Sequence, residues 1–369
     1  MVKVKLFCMQ KDEEDILEDW IIYHSYLFGI ENLYLIDNNS KSTSLQILRK
    51  YQQLGLNLSQ QPDYSKKGDY LCDLIKQTQD QCDLAIPLDL DEFIAMVDLK
   101  NIPTQVAHNL AQSCASFDTR YYLERYPQVV SEGKTPVLAL EHFIKKGFHF
   151  QWSPCAEGNM KNIDPVACQQ IIQQHRDIIL KNYPQTTLTC EKDAINHYLS
   201  QLPKYGRYSF LYYLTSRNGA MDYDNPINDI NVFDLLDYEQ KVNANKKFFD
   251  PKRLTSLDHG NHHGRVEGLQ HGQYMNTNLV LFHYHHRGVR KLIEKCKNDI
   301  IGLGIVKDLN NKQELKEKIK QNVRGAHNIQ TYLTYLTSGP RSLMVDDDQG
   351  LKIIILSEKI EKLKSNLTE

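Results

Sequence analysis

The residues best equipped for chemistry form a short run, Asp89-Leu90-Asp91-Glu92-Phe93, at the end of an apolar stretch from Cys82 to Leu88. Side chains alternate along a strand, so Asp89 and Asp91 are expected on one side and Leu90 on the other. Two carboxylates leaving a buried strand make a hard oxygen site suited to Mg²⁺ or Mn²⁺. An isolated Asp-X-Asp more often marks only a strand's exit into solvent, so its neighbours have to decide. Two histidine-rich runs follow much later, Asp258-His259-Gly260-Asn261-His262-His263 and Phe282-His283-Tyr284-His285-His286-Arg287. In a strand His283 and His285 share a face, and imidazole binds first-row divalent ions well, which makes His283 and His262 candidate ligands beside Asp89 and Asp91. Asp229 stands just before the apolar Ile230, Val232 and Phe233 and is the candidate general base for an acceptor hydroxyl. Asp222 and Asp224 in the same loop read equally well as solvated turn residues.

Positioning these groups requires a scaffold, and the first hundred residues supply a rhythm. Val2 to Met9 reads as a strand, and Ile16, Leu17, Trp20, Ile21, Leu27 and Phe28 recur at helical spacing before Gly29. Leu33 to Ile36 is a second strand, Thr43 to Leu54 a helix, Leu56 to Ser59 a third strand and Tyr70 to Gln79 a helix; the strand that ends in Asp89 is the fourth. This alternation predicts a parallel sheet flanked by helices, with ligands beyond the carboxyl ends of the strands. Those exits are Lys11 to Glu14, Asp37 to Ser40, Lys66 to Asp69 and Asp89 to Glu92, all polar or charged.

Composition narrows the class. Hydrophobic residues are 41% of 369, ordinary for a globular protein, and Lys plus Arg at 44 nearly balance Asp plus Glu at 46. No global field draws the chain to nucleic acid or to an anionic membrane surface. No stretch approaches the about 18 apolar residues of a membrane span, and the amino terminus has no signal-peptide core, so a cytoplasmic protein is expected. The eight cysteines form no Cys-X-X-Cys and are expected as buried free thiols.

Lys11-Asp12-Glu13-Glu14, Trp20-Ile21-Ile22-Tyr23-His24, Asp37-Asn38-Asn39-Ser40 and Asp89-Leu90-Asp91-Glu92-Phe93, in that order, resemble the nucleotide-sugar half of GT-A glycosyltransferases. Within that fold they are most similar to the family 2-like and family 92-like group, which usually has Asn where this chain has Asp12. The resemblance implies a Rossmann-like, mostly parallel sheet and a metal-dependent transfer from a UDP- or GDP-sugar to a glycan or glycoprotein acceptor, with inversion. By the same resemblance Asp37 would accept a hydrogen bond from the base, Asp89 would contact ribose or metal, and Asp91 would bind metal beside the diphosphate. Glu13, Lys67 and Asp69 would complete the nucleotide-sugar contacts. His283 matches the group's His-Tyr-X-X-Arg segment, and Arg287 or Arg290 would meet phosphate oxygens. The alternatives are a metal-dependent hydrolase, which leaves the first three strand exits without a purpose, and a non-catalytic nucleotide or sugar binder in a glycan-assembly complex.

The expected organisation is a nucleotide-sugar half over 1–100, a helical insertion over 101–205, an acceptor and metal half over 206–304 and a helical carboxyl-terminal region over 305–369. The insertion carries a weak repeat, Tyr121 to Pro127 with His142-Phe143 and Ile178 to Pro184 with His197-Tyr198. Each copy reads as a helix, a proline turn and a helix, a unit suited to packing or self-association.

Overall fold

The computed structural model describes residues 2–97, 119–126, 188–202, 204–210, 212–216, 232–234, 246–270, 274–285, 287–339 and 354–368. In chain order the elements are β1 (Val4–Gln10), α1 (Leu17–Phe28), β2 (Leu33–Asp37), α2 (Ser42–Gln53), β3 (Asn57–Gln60), α3 (Lys67–Gln77), β4 (Leu84–Pro87), β5 (Glu92–Val97), α4 (Thr119–Arg125) and β6 (Leu188–Thr189). They continue as α5 (Lys192–Ser200), β7 (Arg207–Ser209), β8 (Tyr212–Ser216), β9 (Val232–Asp234), β10 (Lys247–Phe249), β11 (Leu254–Leu257), β12 (Gly264–Val266), β13 (Met275–Asn276) and β14 (Leu279–His283). Four helices close the chain: α6 (Val289–Gly302), α7 (Lys312–Lys320), α8 (Ala326–Ser338) and α9 (Ile354–Thr368).

All seven residues of β1 are buried, as a strand covered on both faces must be. It lies parallel to β2 on one side and to β4 on the other, and β3 extends the sheet beyond β2. The full order is β13-β7-β10-β4-β1-β2-β3, with β10 alone running against its neighbours. The chain is therefore a mixed α/β protein whose central sheet is mostly parallel and flanked by helices. Phe7, Met9, Ile36, Leu71, Ile75, Ala85, Phe249 and Leu257 form a core between this sheet, α3 and the β11–β12 hairpin. Gly68 permits that hairpin to approach α3, since a Cβ there would lie 2.5 Å from the Leu257 carbonyl oxygen.

A second sheet contains β5, β14, β8 and β9 in that order. It departs from the sequence pattern twice. The alternating aromatic and apolar residues Tyr208, Phe210, Tyr212 and Leu214 read as one strand, yet Tyr208 lies in β7 of the first sheet and Tyr212 and Leu214 in β8 of the second, because the chain crosses from one sheet to the other at this point. The Asp-X-Asp run is not the end of a strand either. Residues 88–91 form the turn between β4 and β5, closed by the Glu92 N–H on the Asp89 carbonyl at 3.2 Å, so alternation does not place Asp89 and Asp91 on one face.

The chain divides into one unit of Met1–Met96 with Cys190–Glu369 and a second of Val97–Thr189. Residues 190–205, assigned from the sequence to the insertion, thus belong to the first unit. There α5 is tied to α1 by Asn196 Nδ2 donating to the Leu27 carbonyl at 2.9 Å and by Tyr26 donating to Glu191 at 2.9 Å. In the second unit α4 carries Tyr122 at 4.9 Å, ring to ring, from Tyr126. The rest of both repeats, apart from His197-Tyr198 on α5, lies outside the described residues.

The expected boundary at 304 and 305 does not separate domains, because α6, α7 and α8 share one core of Leu292, Ile293, Cys296, Leu315, Ile329 and Leu333. Between α7 and α8 the chain turns at Asn322 and Gly325, which take positive φ of 49° and 82°. Helix α9 is joined to α1 by a Lys364–Asp19 ion pair. Among the described residues five cysteines are free and buried, and no helix is long and apolar enough to cross a membrane.

Candidate active site at the carboxyl edge of the sheet

β1 leads on one side toward β2 and β3, while β4 returns on its other side. The gap beyond their carboxyl ends is a topological switch point, where open α/β sheets bind ligands. An open cleft lies there, lined by Gln10 at the end of β1, Lys11 and Glu13 after it, by Asp89 and Asp91 after β4, and by Lys67, Lys295 and Asp299 from α3 and α6.

The α1 motif fixes the floor of this site. Trp20 Nε1 donates to the Glu92 carbonyl at 3.0 Å, and the Tyr23 hydroxyl to the Ile94 carbonyl at 2.5 Å. Both anchors grip the backbone of β5 directly after the Asp-X-Asp turn. His24 packs between them against Phe93, with its Nδ1–H donating to the Trp20 carbonyl at 2.9 Å. Its burial pushes the pKa down to about 3, so the ring is neutral. Asp12 takes φ 55°, a left-handed conformation that Asp and Asn tolerate better than most residues.

Antiparallel pairing of β5 with β14 sets His283 opposite Glu92. That register delivers His283 and His285 to Asp91. His283 Nε2 is 3.3 Å from Asp91 Oδ1, and His285 Nδ1 is 3.9 Å from Oδ2. One ligand atom from each of the three residues lies within 4.8 Å of the others. Asp91 is only 1% exposed, and its Oδ1 accepts no well-formed hydrogen bond among the described residues. A buried carboxylate oxygen facing an imidazole nitrogen is relieved by a shared proton or a shared metal ion. One carboxylate and two imidazoles fit a first-row divalent ion such as Mn²⁺ better than Mg²⁺, which prefers an all-oxygen shell.

Basic groups surround the same carboxylate. Lys295 Nζ donates to Asp91 Oδ2 at 2.6 Å, and Arg287 Nη1 is 3.6 Å from it. Burial works against the ionised form of Asp91, but Lys295 and His283 overcome it and hold the carboxyl well below the usual range. Arg287 is itself clamped by Glu13, by Asp15 at 2.8 Å and by the Tyr284 carbonyl at 2.8 Å. Lys291, one turn before Lys295, reaches Glu14 at 2.9 Å. The four-residue spacing of Lys291, Lys295 and Asp299 puts all three on one face of α6.

Asp89 has different company. Its carboxylate accepts from Lys67 and, at 2.7 Å, from Lys246, whose ammonium also reaches the Gly260 carbonyl at 2.6 Å and Glu92 at 3.4 Å. Burial again opposes its ionisation, and the two lysines depress its pKa strongly. Asp89 therefore stands apart from the Asp91, His283 and His285 donor set, contrary to its expected place among the metal ligands.

The remaining expected site residues scatter. Glu13 and Lys67 line the cleft. Asp37 is fully buried and its oxygens accept from Gln10 at 2.7 Å, the Ser40 N–H at 3.2 Å and Gln60 at 3.4 Å, so Asn38 lines the cleft in its stead. Asp69 is exposed on the first turn of α3, rotated away from Lys67 by two helical positions. His262 sits in the β11–β12 hairpin, outside the donor set. Asp229, Asp222 and Asp224 lie outside the described residues. Sequence reasoning missed Lys246 and Lys295. The α6 spacing could have signalled Lys295, whereas nothing in the run around Lys246 marks it.

Compared with known proteins, the chain matches no family model and no curated protein.

Proposed function

We propose that this chain is a metal-dependent glycosyltransferase of the GT-A type that moves a sugar from a nucleotide donor to a saccharide or protein acceptor with inversion. The observation that carries this reading is the meeting of a carboxylate–imidazole donor set with buried ammonium groups at the β1–β4 switch point. A sugar leaves a nucleotide donor as its diphosphate accumulates negative charge. A divalent ion held by Asp91, His283 and His285 would supply Lewis-acid stabilisation of that charge. Lys67 and Lys295, both on the cleft wall, add positive charge in a site partly screened from water, where such charge acts most strongly. Glu13 and Asp15 hold Arg287 behind Asp91 and so fix the direction of its carboxylate. Asp229 is the candidate base for the acceptor hydroxyl.

A panel of nucleotide sugars screened by thermal shift, with and without Mn²⁺, tests the reading. Metal-dependent stabilisation by at least one donor, with turnover lost in Asp91→Ala, is expected. Silence across the panel sinks the proposal, and phosphate-ester hydrolysis that ignores the sugar points to a hydrolase.

A further inference from the structure

Lys295 occupies an unusual place for a lysine beside a candidate metal centre. Its Nζ lies 2.6 Å from Asp91 Oδ2 and 3.2 Å from His285 Nδ1, within bonding reach of two of the three donor residues. The ammonium thus sits where it meets the same donors that a divalent cation would use. Two positive centres cannot share Asp91 and His285 at such distances without strong repulsion. One of them must move.

Mobility separates Lys295 from the other cation at this carboxylate. Arg287 has 2% of its side chain exposed and is held by three partners, Glu13 and Asp15 in the β1–α1 loop and the Tyr284 carbonyl just after β14. Lys295 has 26% of its side chain exposed and lines the open cleft on a flexible four-carbon stem. Asp299, one turn further along α6 on the same face, lines the cleft as well and offers the ammonium a second carboxylate.

We propose that Lys295 is an exchangeable counter-ion of Asp91. It holds the carboxylate and His285 while no divalent ion is bound, yields them when the ion enters, and then turns its ammonium into the cleft toward the donor diphosphate. The proposal rests on the reading of Asp91, His283 and His285 as a metal site. It adds that metal and lysine compete there, and that the displaced lysine is reused by the second ligand. Metal and donor binding are then coupled in order, because the lysine is free for the diphosphate only after the ion has displaced it.

The test needs no turnover. Mn²⁺ is titrated by electron paramagnetic resonance into the full-length wild type, Lys295→Met and Lys295→Arg, and UDP and GDP are then titrated calorimetrically at saturating Mn²⁺. Lys295→Met should bind Mn²⁺ about ten-fold more tightly than wild type, while Lys295→Arg stays within about three-fold. The same Lys295→Met protein should bind the diphosphate about ten-fold more weakly. Opposite movement of the two affinities is the signature of exchange; a merely structural lysine would weaken both. If wild type binds Mn²⁺ and Lys295→Met binds it no more tightly, the exchange is wrong and the metal site stands. If neither protein binds Mn²⁺, the metal reading falls and takes the exchange with it. Lys295→Gln gives the same comparison should the methionine variant fail to fold.

Discussion

Asp89 and Asp91 are two residues apart in one turn, yet they sit in opposite electrostatic settings. Asp89 lies between two lysines whose side chains are 4% and 0% exposed, drawn from α3 and from the residue before β10. Asp91 faces two histidines from the end of β14, a flexible lysine from α6 and an arginine already claimed by other carboxylates. Removing Asp89 would strand two buried ammonium groups, of which only Lys246 has Glu92 as a second carboxylate. Removing Asp91 would strand one cation that can turn into the cleft. The first carboxylate mainly closes the fold at the cleft floor, and the second is the one arranged to exchange partners.

Asp89→Ala should therefore produce the largest loss of stability, about 3 kcal/mol in denaturant unfolding, because an unpaired buried charge costs more than the pair gains. Asp91→Ala should cost about half of that in the same assay while removing Mn²⁺ affinity. Equal losses of stability in the two variants would erase the distinction between them.

Acid stability sharpens the same contrast. Both aspartates have depressed pKa values and stay ionised down through the usual carboxylate range, so they are nearly silent between pH 6.5 and 4.5. His24 is not. Its folded pKa of about 3 lies below the unfolded value of 6.5, so its contribution is complete above pH 6.5 and is lost as pH falls toward 3. Wild type should lose about 2 to 3 kcal/mol relative to His24→Phe between pH 6.5 and 4.5. The two aspartate variants should keep that loss unchanged. A His24→Phe protein with the wild-type pH profile would show that the histidine is not buried neutral.

Tyr23→Phe should have the smallest effect, about 1 kcal/mol, from leaving the Ile94 carbonyl without its hydroxyl partner. Because this bond holds β5 rather than β4, Mn²⁺ affinity at Asp91 should weaken with it, whereas the Asp89 cluster should not respond. Unchanged Mn²⁺ affinity in a folded Tyr23→Phe would separate the α1 clamp from the site it underlies.

Much of the first hundred residues was legible because apolar period and turn residues agree there. β1 and β2 alternate with α1 and α2 close to where Val4, Leu33 and Gly29 place them, and Gly29 ends α1 at φ 90° with its N–H on the Ser25 carbonyl. The Trp20-to-His24 run was legible as a motif but not as a clamp, since its partners are backbone carbonyls that no residue type announces. β5 was hidden because the acidic run before it reads as a strand's exit into solvent, and nothing in Phe93 to Val97 announces that the chain turns at once into a second sheet. Asp37 misled for a related reason: a strand exit marks an edge of the sheet but does not say which of two successive side chains turns outward.

By itself the sequence determined the parallel strands, the helices between them and the acidic turn where the fourth strand ends, because each depends on residues a few positions apart. Only the tertiary structure decided which carboxylate meets which cation. Asp91 acquires His283 through the β5–β14 register and Lys295 through the packing of α6, while Asp89 acquires Lys246 through the reversed strand β10. Such pairings join positions up to 204 residues apart. Charge selects these partners only after burial has brought them within reach, and burial is a property of the whole folded chain.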